Sequence, residues 1–129
     1  MSSNTEIKKT DEGNWHQSVW KVVSDIPSGH VLTYGEVARL SGMPKAARRV
    51  SQALRRAPKN LNVPWHRVIT ASGRIAFTAG SDAFREQSRR LQAEDVPILK
   101  GRVDMRKYRW QPDLDELLWK PGPAWDETE

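Results

Sequence analysis

The chain has no cysteine. That absence excludes disulfides, thiolate metal sites and any mechanism built on a sulfur nucleophile, and it leaves the redox compartment undetermined. Long apolar runs are also missing, and none approaches the roughly 20 residues of a membrane-spanning helix. No metal-ligating cluster, phosphate-binding glycine loop, internal repeat or low-complexity tract is visible, so no metal and no cofactor is expected. The third absence is local: no Asp or Glu occurs between Glu36 and Asp82.

What fills that acid-free stretch is Arg39, Lys45, Arg48, Arg49, Arg55, Arg56, Lys59, Arg67 and Arg74. An ordinary soluble surface intersperses its charges. This one presents a polyanion-binding face, with nucleic acid as the first candidate. The formal net charge of +5 conceals the asymmetry. Residues 1–110 hold twenty Lys/Arg against ten Asp/Glu, a balance of +10, and residues 111–129 hold one Lys against six acids, a balance of -5. At 129 residues and 37% apolar content the chain has room for one modest core. The division expected is a disordered leader over 1–13, a domain over 14–110 and an acidic extension bearing Trp and Pro over 111–129.

Trp15, Val19, Val22, Val23 and Ile26 recur at helical spacing after a possible Asn14 cap, and Pro27-Ser28-Gly29 ends that helix. Thr33-Tyr34-Gly35-Glu36 has the form of a capping box. It starts a short helix with Val37, Ala38 and Leu40 inward and Gly42 as its stop. Pro44 suits the first residue of the next helix, whose inward stripe is expected to be Ala47, Val50 and Leu54. Its other face carries Lys45, Arg48, Arg49, Gln52, Arg55 and Arg56. Two helices joined by a glycine-containing turn, the second basic on its outer face, describe a helix-turn-helix. Further on, Ser72-Gly73-Arg74 reads as a turn and Ile75 to Thr78 as extended. Ser81-Asp82 opens a helix to about Asp95 with Phe84 and Leu91 inward. Val96–Leu99 and Arg102-Val103 read as a small hairpin, and Tyr108-Arg109-Trp110 closes the core. The class is α+β, mainly helical: a winged-helix-like DNA-binding domain with small β elements.

The most unusual run is Val63-Pro64-Trp65-His66-Arg67-Val68-Ile69. Pro64 fixes its own φ and biases Val63 towards an extended conformation, so Trp65 is delivered rigidly. By composition alone this is a buried strand carrying a core tryptophan.

Thr33-Tyr34-Gly35, Pro44-Lys45-Ala46-Ala47-Arg48 and Pro64-Trp65-His66-Arg67-Val68, in that order, resemble the C-terminal DNA-binding domain of the O6-alkylguanine-DNA alkyltransferases over about residues 14–110. The residue after the proline is the acceptor cysteine in those enzymes and Trp65 here, as in the alkyltransferase-like proteins. Composition agrees independently, since alkyl acceptance needs a thiolate and the only sulfur here is thioether. No alkyltransferase activity is expected.

The resemblance implies a sensor of O6-alkylguanine in double-stranded DNA that enters the minor groove and flips the lesion into a Trp-lined pocket. It would mark that lesion for nucleotide excision repair proteins. Tyr34 would rotate the nucleotide, and Arg48 would be the finger that fills the vacated stack; from the residues alone, Tyr34 packs locally and Arg48 contacts a phosphate equally well. Trp65 would line the pocket, with Val63, Pro64 and the segment from Ile69 to Ser72 as its edges. His66 and Glu94 match a hydrogen-bond relay with nothing left to activate, so both, with Arg67, are expected to support the pocket loop. Thr33, Lys45, Arg49, Gln52, Arg55 and Arg56 would contact the DNA backbone. Ser51 departs from the glycine usual there, with a possible cost in affinity. The extension past Trp110 lies outside the resemblance and could pack on the domain, compete with DNA or contact a partner. A monomer is expected, without membrane association, at the bacterial nucleoid or in a eukaryotic nucleus. The competing reading is a sequence-specific helix-turn-helix regulator indifferent to damage.

Overall fold

The computed structural model describes residues 15–112. The expected leader, and the extension beyond Pro112, lie outside the described residues. Helix α1 runs over 15–25 and buries Trp15, Val19 and Val23, with Ile26 just after it. Those positions follow one another at four, four and three residues, the stripe that a 3.6-residue period places on one face. The chain then turns through Gly29, whose φ of +87 is left-handed. Strand β1 (Leu32–Thr33) follows, and Thr33 caps helix α2 (Tyr34–Leu40). The capping box is complete: the Glu36 amide donates to Thr33 Oγ1 at 3.1 Å, and the Thr33 amide donates to Glu36 Oε1 at 3.0 Å.

Helix α3 (Ala47–Arg55) starts later than the sequence suggests. Pro44 and Lys45 form a turn, closed by the Ala46 amide donating to the Met43 carbonyl at 3.0 Å. The helix therefore begins without a side-chain cap. Its buried stripe moves accordingly: Ala46, Val50 and Ala53 face the core, whereas Ala47 and Leu54 are only half-buried. Trp20 on α1 donates its indole N–H to the Ala53 carbonyl at 2.7 Å, tying α1 to the end of α3.

The Pro-Trp-His run is not the expected strand. Trp65–Arg67 is a single 3-10 turn, and only Val68–Ile69 after it forms a strand, β2. β2 lies parallel to β1, with Leu32 opposite Val68 and Thr33 opposite Ile69. Successive strand residues point to opposite faces, and this two-stranded sheet uses both. Leu32 and Val68 enter a larger core with α1, α2 and α3. Val31 and Ile69 enter a smaller one with Leu91, Val96 and Val103. The sheet is thus a partition between two apolar clusters.

Helix α4 (Asp82–Ala93) is capped by Ser81, whose Oγ accepts from the Phe84 amide. The stretch 75–78 expected to be extended contains no strand. The hairpin is reduced to a Leu99–Arg102 bridge across a turn in which Lys100 and Gly101 both have positive φ. Helix α5 (Met105–Tyr108) packs Met105 and Tyr108 on the smaller cluster and leads to Trp110, whose amide donates to the Val31 carbonyl at 2.8 Å and whose side chain packs on the larger cluster. Among the described residues no helix is long and apolar enough to cross a membrane.

Candidate nucleic-acid interface

A cavity of about 800 Å³ opens between the α2–α3 pair and the segments that follow β2. Tyr34 and Gly35 line it from the first turn of α2, and Ala47, Arg48, Ser51, Leu54 and Arg55 line it from α3. Trp65, Thr70, Ala71, Ala76 and Phe77 form the opposite side, with Ala83 of α4. The register of α3 explains the near side. Because Ala46, Val50 and Ala53 take the core, the next positions round the helix turn Ala47, Ser51 and Leu54 into the cavity. Small side chains there leave it open.

Trp65 is the main wall. Phe77 meets its ring edge-on, centroids 6.1 Å apart at 83°, and the Arg90 guanidinium lies 5.5 Å from its centroid. Burial raises the pKa of the Tyr34 phenol above 10.0, against a smaller opposing effect of Arg55, so at neutral pH the hydroxyl is a neutral donor. The lining contains two arginines and no carboxylate. Aromatic walls hold a flat ring, and arginines at a rim attract phosphate. Nothing in the lining is a nucleophile of the kind that accepts an alkyl group. Among the described residues no group of His, Asp and Glu could hold a metal ion.

Behind the wall sits an ionic hub. Glu94, just past the end of α4, accepts from His66 Nε2 at 2.7 Å, from Arg67 Nη2 at 2.7 Å and from the Gly29 amide at 3.0 Å. Arg67 also donates Nη1 to the Ile26 carbonyl at 2.7 Å. The side chains of His66, Arg67 and Glu94 are only 8%, 17% and 13% exposed. Burial would raise the Glu94 pKa, but hydrogen bonds from Arg67, His66 and the Gly29 amide outweigh it and hold the carboxyl at about 2. His66 moves below 6.5, chiefly through burial, despite its bond to Glu94. The neutral imidazole therefore donates Nε2–H to the carboxylate. Gln87 adds a second anchor, donating Nε2 to the His66 and Val68 carbonyls at 3.0 Å each.

The structure brings Tyr34, Arg48, Arg55 and Trp65 to one cavity. Of the rest of the expected pocket it brings Thr70 and Ala71 of the 69–72 segment there, but not Val63, Pro64, Ile69 or Ser72. Val63 and Ile69 are core residues, because β2 turns Ile69 into the smaller cluster and Val63 packs in the larger. Pro64 only introduces the 3-10 turn, and Ser72 bonds Thr70 Oγ1 outside the lining. Lys45, Gln52 and Arg56 are exposed and outside the lining. Arg49 is exposed too, with its guanidinium 5.5 Å from the Trp15 ring. Thr33 is buried at the α2 cap, its hydroxyl occupied by the capping box. Ala76 and Phe77 escaped the sequence reading, since only the tertiary fold carries that loop across from α3. Gln87 escaped it because a lone glutamine in a charged helix reads as solvated.

Comparison with known proteins gives consistent matches. Residues 14–96 match the family model for the 6-O-methylguanine DNA methyltransferase DNA-binding domain. The chain is 44% identical over 106 residues to the DNA base-flipping protein of Escherichia coli (strain K12), covering 81% of each chain. It is 39% identical over 107 residues to alkyltransferase-like protein 1 of Schizosaccharomyces pombe, covering 83% of this chain and 95% of that protein. The crystal structure of that S. pombe protein in complex with damaged DNA containing O6-carboxymethylguanine superposes with a TM-score of 0.69 at 38% identity, over 76% of this chain and 95% of the other. The mainly helical architecture with its small two-stranded sheet is the alkyltransferase-like DNA-binding fold.

Proposed function

The chain belongs to the family of 6-O-methylguanine DNA methyltransferase DNA-binding domains, and from that premise we propose that it is a non-enzymatic sensor of O6-alkylguanine in double-stranded DNA. The altered nucleotide is turned into the cavity beside Trp65 and held there without chemistry. The observation that carries this reading is the convergence of Tyr34, Arg48 and Trp65 on one cavity, in a chain with no cysteine.

Each residue has a physical task. α3 enters the minor groove with its exposed basic face, and Lys45, Arg49, Gln52, Arg55 and Arg56 contact the backbone, as does the Thr33 end of α2. Tyr34 presses on the phosphate of the target nucleotide and helps rotate it out. Arg48, exposed at the cavity rim, fills the vacated place in the stack. Unstacking a base costs a few kcal/mol. Stacking on an aromatic side chain returns about 1–3 kcal/mol. O6-alkylation removes the N1 proton and replaces a carbonyl acceptor, so the lesion pairs poorly and flips at lower cost than guanine. Discrimination then follows from the duplex as much as from the pocket. His66, Arg67 and Glu94 support the wall.

The bound complex, a single protein on its lesion, marks the site for nucleotide excision repair. Such a role places the protein with the DNA, at the nucleoid of a bacterium or in the nucleus of a eukaryote. These later steps rest on the family resemblance.

The test is a paired titration of two duplexes differing by one O6-methylguanine, at one fixed near-physiological salt, because the phosphate contribution alone binds both. A preference for the lesion with the methyl group recovered intact is expected. Equal affinity for both duplexes overturns the reading and leaves a general or sequence-specific DNA binder.

A further inference from the structure

Trp65 is held by a device that the proposed function does not require. The Arg90 guanidinium lies over its ring at 5.5 Å from the centroid, yet Arg90 is not among the residues lining the cavity. The cation therefore covers the indole from outside, while Phe77 and His66 meet it edge-on at 83° and 89°. Arg90 is itself fixed from the other side. Glu86, one turn earlier on α4, accepts from Arg90 Nε at 2.6 Å and from Arg89 Nη2 at 2.7 Å. An acid four residues before its basic partner is the favourable order on a helix. The helix is in turn strapped to the Trp65 turn through Gln87 and the His66 and Val68 carbonyls. A planar guanidinium, oriented by a carboxylate and held over an indole, restrains the ring in a way that an ammonium does not.

We propose that Arg90, anchored by Glu86, is a positioning residue that holds the Trp65 indole in place as the cavity wall before DNA arrives. The binding consequence rests on the lesion-sensor reading above; the restraint on the ring does not. Surface ion pairs contribute little to stability, and Arg90 and Glu86 have side chains 43% and 37% exposed. The effect should therefore appear in the order of Trp65 and in discrimination, not in melting temperature.

The experiment uses the full chain labelled with 15N-tryptophan, with the Trp65 indole N–H assigned by its loss in Trp65→Phe. In Arg90→Met, which keeps length and removes charge, that resonance is expected to shift and to lose heteronuclear NOE intensity. Arg90→Lys should recover part of both, and Glu86→Gln should fall between Met and wild type. An unchanged Trp65 signal in a folded Arg90→Met overturns the proposal. Titration of the paired duplexes should show the lesion-to-undamaged affinity ratio falling about two- to fivefold in Arg90→Met, the range of a half-exposed cation–π contact. Equal loss on both duplexes with a shallower salt slope would instead make Arg90 a phosphate contact, and overturns it. A loosened indole in Arg90→Met, in a protein whose wild type shows no lesion preference, refutes the sensor reading and leaves the clamp standing.

Discussion

Glu94→Gln removes the charge at the centre of the hub while keeping the shape. The carboxylate answers three partners, the His66 ring, the Arg67 guanidinium and the Gly29 amide. The amide that replaces it has one oxygen to accept with and an NH2 that meets those donors. Its magnitude can be reached by two routes. Holding the Glu94 carboxyl at about 2 instead of 4.5 in a side chain only 13% exposed corresponds to about 3 kcal/mol of native-state preference for the charged form. Breaking a buried ion pair by removing one partner typically costs about 3–5 kcal/mol, since the other charge stays buried. Glu94→Gln is therefore expected to lose about 3 kcal/mol at neutral pH, or about 10 °C in Tm. Urea unfolding checks it.

The pH dependence of the wild type tests the same reasoning. The folded pKa of Glu94 lies below its unfolded value, so its contribution is full above 4.5 and is lost as pH falls from there through about 2. His66 acts in the same direction. Its folded pKa lies below 6.5, so the unfolded state takes up the proton first and stability begins to fall as pH drops through 6.5. Wild type should weaken gently from there and steeply below 4.5, while Glu94→Gln should lose the steep part. A variant within about 0.5 kcal/mol of wild type at neutral pH, the scatter of ordinary surface substitutions, or one with an unaltered acid limb, would refute the argument.

The cavity and its approaches give three more predictions. Trp65→Ala should lower affinity for the O6-methylguanine duplex by roughly tenfold, the scale of one base–aromatic stack, and leave the undamaged duplex nearly unaffected in the paired titration. Gln87→Leu should cost about 2 kcal/mol or more in urea unfolding, because it leaves the His66 and Val68 carbonyls without their side-chain donor. Arg55→Gln combined with Arg56→Gln should weaken both duplexes alike and reduce the slope of log K against log salt by about 0.9 for each phosphate that is no longer neutralised.

Much of the site was legible because its chemistry is local in sequence. The capping box spans four residues, and its pattern specifies where α2 begins and hence where Tyr34 stands. The acid-free basic run marks a strongly cationic face without any knowledge of the fold. The start of α3 was not legible. Pro44 fits the first turn of a helix and fits a β-turn equally well, and the choice moved the inward stripe from Ala47-Val50-Leu54 to Ala46-Val50-Ala53. That shift supplied Ala47, Ser51 and Leu54 to the cavity. Trp65 was legible as a special residue, but its conformation was not. A run of seven that holds Val63, Trp65, Val68 and Ile69 and is stiffened by Pro64 reads as a strand, and only the β1–β2 pairing, between segments more than thirty residues apart, shows how little of it is one. Ile69 entered the core for the same reason. Phe77 and Arg90 meet Trp65 only through tertiary structure, and no spacing in the sequence announces either neighbour.

The hub raises the question of why a chain without a nucleophile keeps three charged or polar side chains buried behind its wall. Stability is a weak answer, because well-packed apolar groups of similar volume often replace a buried ion pair at no cost or with a gain. Geometry is a stronger one. Apolar packing fills space but does not fix an angle, whereas the Arg67 fork must meet both Glu94 oxygens and the Ile26 carbonyl at once. Those bonds join the end of α1, the Trp65 turn and the end of α4, the elements on which the rear of the wall depends. The combined replacement His66→Phe, Arg67→Met and Glu94→Leu separates the two answers. If the hub serves register, this variant should unfold within about 2 kcal/mol of wild type, in either direction. Its Trp65 indole should nevertheless lose order, and its lesion-to-undamaged ratio should fall. A folded variant that keeps the wild-type ratio would mean that apolar packing alone can aim the tryptophan, and the charges would then contribute nothing to recognition.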